Sequence, residues 1–178
     1  MNSEISVSPD GKKYPLPRPE EYKKELDRIG KLVGKARMNN QEIVVVMGVG
    51  FVGALMAAIV ADTVDKNRKP TKFVIGMQRP SVRSFWKIPM LNKGISPVKA
   101  EDPEVEPMIR RCVIDKKTLV ATYVYDVLQF ADVVIIDVQL DYHKNELGNV
   151  RNGQVEMTAL EESFEVIAKH IKPYTLVL

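Results

Sequence analysis

The chain has 178 residues, enough for one domain with a sizeable core, and 45% of them are hydrophobic, which excludes disorder as the default state. A formal charge of +3, with basic and acidic residues interspersed, argues against a nucleic-acid partner, whose binder would gather its cations on one face. The single cysteine, Cys112, excludes an internal disulfide framework and suits a reducing, cytoplasmic setting; no signal-peptide core or membrane-length apolar run is present, so no membrane partner is expected.

Met1 to Arg18 reads as an irregular lead-in with a turn at Pro9-Asp10-Gly11, and Pro15 and Pro17 keep its end extended. Pro19 to about Ala36 predicts a polar helix with one apolar stripe, Tyr22, Leu26, Ile29 and Val33. Proline and acidic residues in its first turn suit a helix N-terminus. We read residues 1–40 as an extension whose added helix packs on the outside of the fold, and residues 41–178 as the domain proper.

Glu42 to Met47 is an apolar, β-branched strand that runs straight into Gly48-Val49-Gly50-Phe51-Val52-Gly53. A small-residue helix follows, from about Phe51 to Asp65. A Gly-x-Gly-x-x-Gly turn between a strand and a helix has a physical use. Gly48 permits the tight turn, Gly50 lets a pyrophosphate approach the backbone, and Gly53 lets helix and strand pack closely. The free N–H groups and the helix dipole then hold the anion. We therefore read Gly48 to Gly53 as a dinucleotide site.

Lys72 to Met77 is the second strand, which completes a βαβ unit and implies a parallel sheet with a right-handed crossover. At its end the fingerprint asks for an acidic residue to take the ribose hydroxyls. The chain has Gln78 instead, followed by Arg79-Pro80-Ser81-Val82-Arg83. Gln78 still offers hydrogen bonds without charge. Arg79 and Arg83 are either cofactor contacts, compatible with NADP as well as NAD, or solvated surface residues.

Pro80 to Asn92 predicts a helix that Pro89 interrupts, and a second short helix runs from about Asp102 through Met108, Ile109 and Val113. Cys112 falls among the apolar residues of the latter and reads as a buried structural thiol. Thr118 to Thr122 is the third strand, Tyr123 to Phe130 a short helix, and Ala131 to Val138 a fourth strand covered on both faces. Val138 and Gln139, at that strand's end, are expected to line the cofactor. Gln139 to Glu156 is a long polar loop, either a lid or a plain surface excursion. Met157 to Lys172 is an amphipathic helix, with His170 at its C-terminus in a capping position. No pair of residues has the spacing of a metal site. Thr175 to Leu178 starts a further strand, which leads us to expect the domain to continue past Leu178. The whole is a Rossmann-like, doubly wound parallel α/β sheet with helices on both faces and an extra N-terminal helix.

From Glu42 onward the sequence resembles the N-terminal cofactor domain of the UDP-glucose/GDP-mannose dehydrogenase family. The resemblance is carried by Gly48 to Gly53, by Leu91-Asn92-Lys93-Gly94-Ile95-Ser96-Pro97-Val98, by Glu104 to Met108, by Ala131 to Ile136, and by Leu160 to Val177 in that order. It implies oxidation of a nucleotide-sugar C6 alcohol to a carboxylate in two NAD-dependent steps, and a homodimeric whole protein. It also implies that the catalytic cysteine and lysines lie in segments outside this chain, which then binds cofactor without turnover. Gln78 departs from the family's ribose acid, whereas Arg83 matches a basic residue a turn further on. Val138-Gln139-Leu140-Asp141 stands where the family carries a threonine that helps order a catalytic water, and Leu140 has no hydroxyl to do so. A non-catalytic module sensing a dinucleotide or a nucleotide-sugar is the alternative reading.

Overall fold

The computed structural model describes residues 4–144 and 153–178. Five strands form its central sheet: β3 (Glu42–Met47), β4 (Lys72–Met77), β5 (Leu119–Thr122), β6 (Val133–Ile136) and β9 (Leu176–Val177). Their order is β5-β4-β3-β6-β9, and every neighbouring pair is parallel. The chain therefore winds outward from β3 in one direction, returns, and winds outward in the other. The point of reversal lies between β3 and β6, where the loops leaving the two strands diverge and open a crevice.

Period-two alternation explains why both faces are covered. In β3, Ile43, Val45 and Met47 face one core, while Val44 and Val46 face the other. The second core is closed by α2 (Phe51–Asp62), α3 (Lys87–Leu91) and α4 (Val105–Arg110). Four buried alanines of α2, Ala54, Ala57, Ala58 and Ala61, let that helix lie close on the strands. The first core is closed by α1 (Pro19–Met38), by a 3₁₀ helix (Tyr125–Phe130) and by α5 (Thr158–His170). The return half of the winding supplies little helix of its own there, and Ile29, Val33 and Ala36 of α1 fill the space. Arg37 fixes the end of α1 with a bidentate pair to Asp132, at 2.6 and 2.7 Å, and the same carboxylate accepts the Ile43 N–H at 2.8 Å.

Several local expectations are corrected. The lead-in is a β-hairpin, β1 (Ile5–Val7) against β2 (Lys13–Pro15), closed by the expected turn with Gly11 at φ 81°. It is docked rather than loose: the buried Ser6 hydroxyl accepts the Trp86 N–H at 3.2 Å. α2 stops at Asp62, because Thr63 turns extended and Val64 bridges Pro70. Only Lys87–Leu91 of the 80–92 segment is α-helical, preceded by turns that hydrogen-bond back to Ser81. Pro89 does not interrupt this helix, since its missing N–H falls within the first turn. α4 runs on into a π turn over Arg111–Asp115. The polar loop after β6 contains two strands, β7 (Asp141–Lys144) and β8 (Gly153–Glu156), paired antiparallel. Asn145, Glu146, Arg151 and Asn152, which fall in that predicted loop, lie outside the described residues.

Candidate dinucleotide site

The three glycines of the turn differ in what surrounds them. Gly48 has φ 99°, in the left-handed region, and a Cβ there would sit 2.1 Å from the Asp137 carbonyl oxygen. A Cβ on Gly53 would sit 2.0 Å from the Gly48 carbonyl oxygen and 2.5 Å from Asp137 Oδ2. Both positions need glycine so that the turn, the helix and the end of β6 can close on one another. Gly50 is different: a Cβ there would meet nothing within 4 Å. The protein has no packing reason to keep that side chain absent.

The Asp137 carboxylate stands beside the start of α2, Oδ2 lying 2.5 Å from where a Gly53 Cβ would sit, but it makes no capping hydrogen bond. Gly50 is the helix's N-cap, no side chain caps it, and its first turn holds no acidic residue. The N–H groups of the first turn have no intrahelical acceptor, and the dipole adds positive potential. Phe51 and Val52, on that turn, are exposed. Val49 points the other way. It is fully buried, and Gly76 of β4 leaves room for it, since a Cβ there would lie 2.7 Å from Val49 Cγ1.

Gln78 lies across the turn at the end of β4. Its Oε1 accepts the Val49 N–H at 3.1 Å, and its Nε2 donates to Ser84 Oγ at 3.3 Å. Ser84 Oγ lies 2.7 Å from Ser81 Oγ and donates to the Arg79 carbonyl at 3.1 Å. This network couples the segment after β4 to the glycine turn, an anchoring role that sequence reading missed. It joins residues far apart in sequence, and no local pattern signals it.

Beyond the C-terminal ends of β3, β4 and β6 lies a cavity of about 580 Å³. Of the predicted residues, it brings together Gly48, Gly50, Gln78, Arg79, Val138 and Gln139. α5 forms the opposite wall, and Asp137 lines the cavity as well. Val49, Phe51, Val52 and Gly53 lie in the turn without lining it, and Arg83 is exposed outside its walls. Arg79 lies 3.3 Å from Glu162 of α5 in a pair exposed on both sides. Sequence reading missed the rest of the wall, including Tyr125, Lys87 and the carboxylates Asp137, Glu162 and Glu165. Burial lowers the Lys87 ammonium below the usual lysine range.

The remaining candidate groups carry no chemistry at this site. Cys112 is fully buried, with Sγ 3.5 Å from both the Ala58 carbonyl and Asp62 Oδ1, and burial pushes its pKa up to about 12. His170 Nδ1 lies 2.8 Å from the Val166 carbonyl, the capping position expected of it. Among the described residues, no cluster of His, Cys, Asp or Glu is placed to hold a metal, and no helix is long and apolar enough to cross a membrane.

A five-stranded parallel sheet of this order, with a glycine turn at its point of reversal, is the Rossmann-like class of nucleotide-binding folds. No protein-family model and no curated protein matches the chain. Solved structures do, and nucleotide-sugar dehydrogenases are among them. NDP-N-acetyl-D-galactosaminuronic acid dehydrogenase from Methanosarcina mazei Go1 is 28% identical, with a TM-score of 0.65 over 83% of this chain and 28% of that one. GDP-mannose dehydrogenase from Pseudomonas aeruginosa is 23% identical, with a TM-score of 0.54 over 70% of this chain and 24% of that one. UDP-D-ManNAc dehydrogenase from Pyrococcus horikoshii is 20% identical, with a TM-score of 0.55 over 76% of this chain and 27% of that one. The last two likenesses concern the fold alone. The chain resembles this dehydrogenase family and spans about a quarter of the length of the relatives it matches.

Proposed function

We propose that the chain is the NAD-binding domain of a nucleotide-sugar dehydrogenase that oxidises the sugar C6 alcohol to a carboxylate. The observation that carries this reading is the open space at Gly50, beside an uncapped helix N-terminus and at the sheet's point of reversal. The backbone N–H groups of the first turn of α2 hold the diphosphate, and Gly50 lets it approach. Gln78, Arg79 and Arg83 belong to the adenosine end. Val138 and Gln139 line the nicotinamide end. When bound, the cofactor supplies hydride acceptance; the chain orients it and closes one side to water. A reducing, cytoplasmic setting and a homodimeric whole protein complete the reading, with the nucleotide-sugar held partly by segments this chain does not contain.

Leu140 favours a second reading, a module that senses a dinucleotide or nucleotide-sugar without turnover. Calorimetric titration of the chain with NAD and NADP tests the shared premise: saturable heat with at least one is expected, and none with either overturns it. Coding sequence beyond Leu178 separates the two readings, since a glycine-cysteine nucleophile loop is expected of the enzyme and its absence favours the sensor.

A further inference from the structure

On the dinucleotide reading above, the two oxidation states of the cofactor differ in charge at one place. The oxidised nicotinamide ring is a cation and the reduced ring is neutral, while the diphosphate and the adenosine end are the same in both. A wall without charge at the ring favours the reduced form, because an uncompensated cation gives up its water on entry. A carboxylate on that wall reverses the order.

The cavity wall is rich in carboxylates. Asp137, Glu162 and Glu165 line it, against Arg79 and Lys87. Arg79 is matched by Glu162 at 3.3 Å, and both glutamates are exposed on α5, where solvent screens them. Asp137 differs from them. It is half-buried, and it directly precedes Val138 and Gln139 at the end of β6. It is also fixed in place. Its N–H donates to the Met47 carbonyl at 2.8 Å, and its own carbonyl oxygen closes on Gly48. Its Oδ2 lies 2.5 Å from where a Gly53 Cβ would sit, so glycine at 53 leaves the space this carboxylate occupies. Both cations come from the segment after β4, at the other end of the cofactor on this reading.

We propose that Asp137 sets a preference of the site for the oxidised dinucleotide, its carboxylate compensating the charge of the nicotinamide ring. Hydride acceptance removes that charge, so the same carboxylate weakens the hold on the reduced product and favours its release. Repulsion between Asp137 and the diphosphate is common to both forms and cancels in their ratio.

The test is calorimetry with NAD and NADH on the chain and on Asp137→Asn, a change of charge at constant shape, with ADP-ribose as the probe that lacks the ring. A partly screened ion pair implies NAD binding about fivefold tighter than NADH, and the ratio should fall as potassium chloride is raised. Asp137→Asn of unchanged circular dichroism should bring the ratio toward unity and tighten NADH and ADP-ribose alike; Asp137→Ser serves where asparagine disturbs the turn. Glu165→Gln, on the screened helix, should leave the ratio as it is. Equal or tighter binding of NADH by the parent overturns the proposal and leaves the dinucleotide reading standing. A preference for NAD that persists in the Asp137 variants overturns the role of that residue. Binding of none of the three probes by folded protein overturns the dinucleotide reading as well.

Discussion

The glycine turn makes a prediction in which stability and binding move in opposite directions. At Gly50 the backbone has φ −76° and a new Cβ meets nothing within 4 Å. Gly50→Ala should therefore leave the fold intact, or raise stability by up to about 1 kcal/mol through a less flexible unfolded chain. Gly48→Ala places a Cβ 2.1 Å from the Asp137 carbonyl oxygen at φ 99°. A left-handed residue costs about 1–2 kcal/mol and overpacking a further 1–3. Gly53→Ala, with 2.0 Å to the Gly48 carbonyl oxygen, has the packing cost alone. Binding follows another order. Gly50→Val fills the open space and should lose one charge-assisted contact to the diphosphate, about 1.5–3 kcal/mol, or roughly 10–150-fold in affinity. Melting temperatures report the first effect, at roughly 2–4 °C per kcal/mol for a chain of this size. Calorimetry with the better-binding cofactor reports the second. A Gly50→Val protein that melts normally and binds as tightly as the parent refutes the diphosphate cradle, because no other consequence of that side chain would hide the loss.

Three further outcomes follow from the surrounding chemistry. Gln78→Leu strands the Val49 N–H, whose residue is fully buried, and should cost about 1–3 kcal/mol; Gln78→Glu keeps an acceptor and should recover most of it, and equal melting temperatures for the two would overturn the anchoring role. Cys112, the one thiol of the chain, should resist a disulfide reagent at pH 8 in the folded protein and react once unfolded by guanidinium; prompt reaction of folded protein contradicts its burial. Asp62 is held well below the usual carboxylate range by Arg111, at 2.8 Å, and by Lys116, at 2.7 Å. Its folded pKa lies below its unfolded one, so this stability is present above about pH 4 and lost as pH falls toward the folded value. The stability gap between the parent and Asp62→Asn should accordingly narrow from pH 7 to pH 3, and a constant gap refutes the coupling.

What was legible in the sequence follows from how far each signal reaches. β3, β4 and the start of β6 declare themselves because a strand covered on both faces must be apolar at every position. α1 and α5 show a stripe because they cover one face only. The β1–β2 hairpin was missed because three-residue strands hold too few residues for alternation to emerge, and what fixes them is Ser6 meeting Trp86, a contact between distant residues. The β7 and β8 arms were missed because they are polar, and their pairing comes from backbone hydrogen bonds rather than an apolar face.

The same distinction separates the legible half of the site from the hidden half. Gly48 and Gly53 are required by packing and Gly50 is not, yet all three carry the same letter, and only the space around each tells them apart. Lys87 was hidden by the expectation of a helix that begins at Pro80 and is interrupted only at Pro89, on which it would be an ordinary solvated residue. The turns that hydrogen-bond to Ser81 delay the helix to Lys87 itself. Those turns belong to the Gln78–Ser84 network, so the residue that replaces the expected acid also stabilises the backbone path leading to Lys87. A substitution that breaks this network, Ser84→Ala, should lower the melting temperature and weaken dinucleotide binding together, and unchanged values of both would refute the network's role in holding the turn.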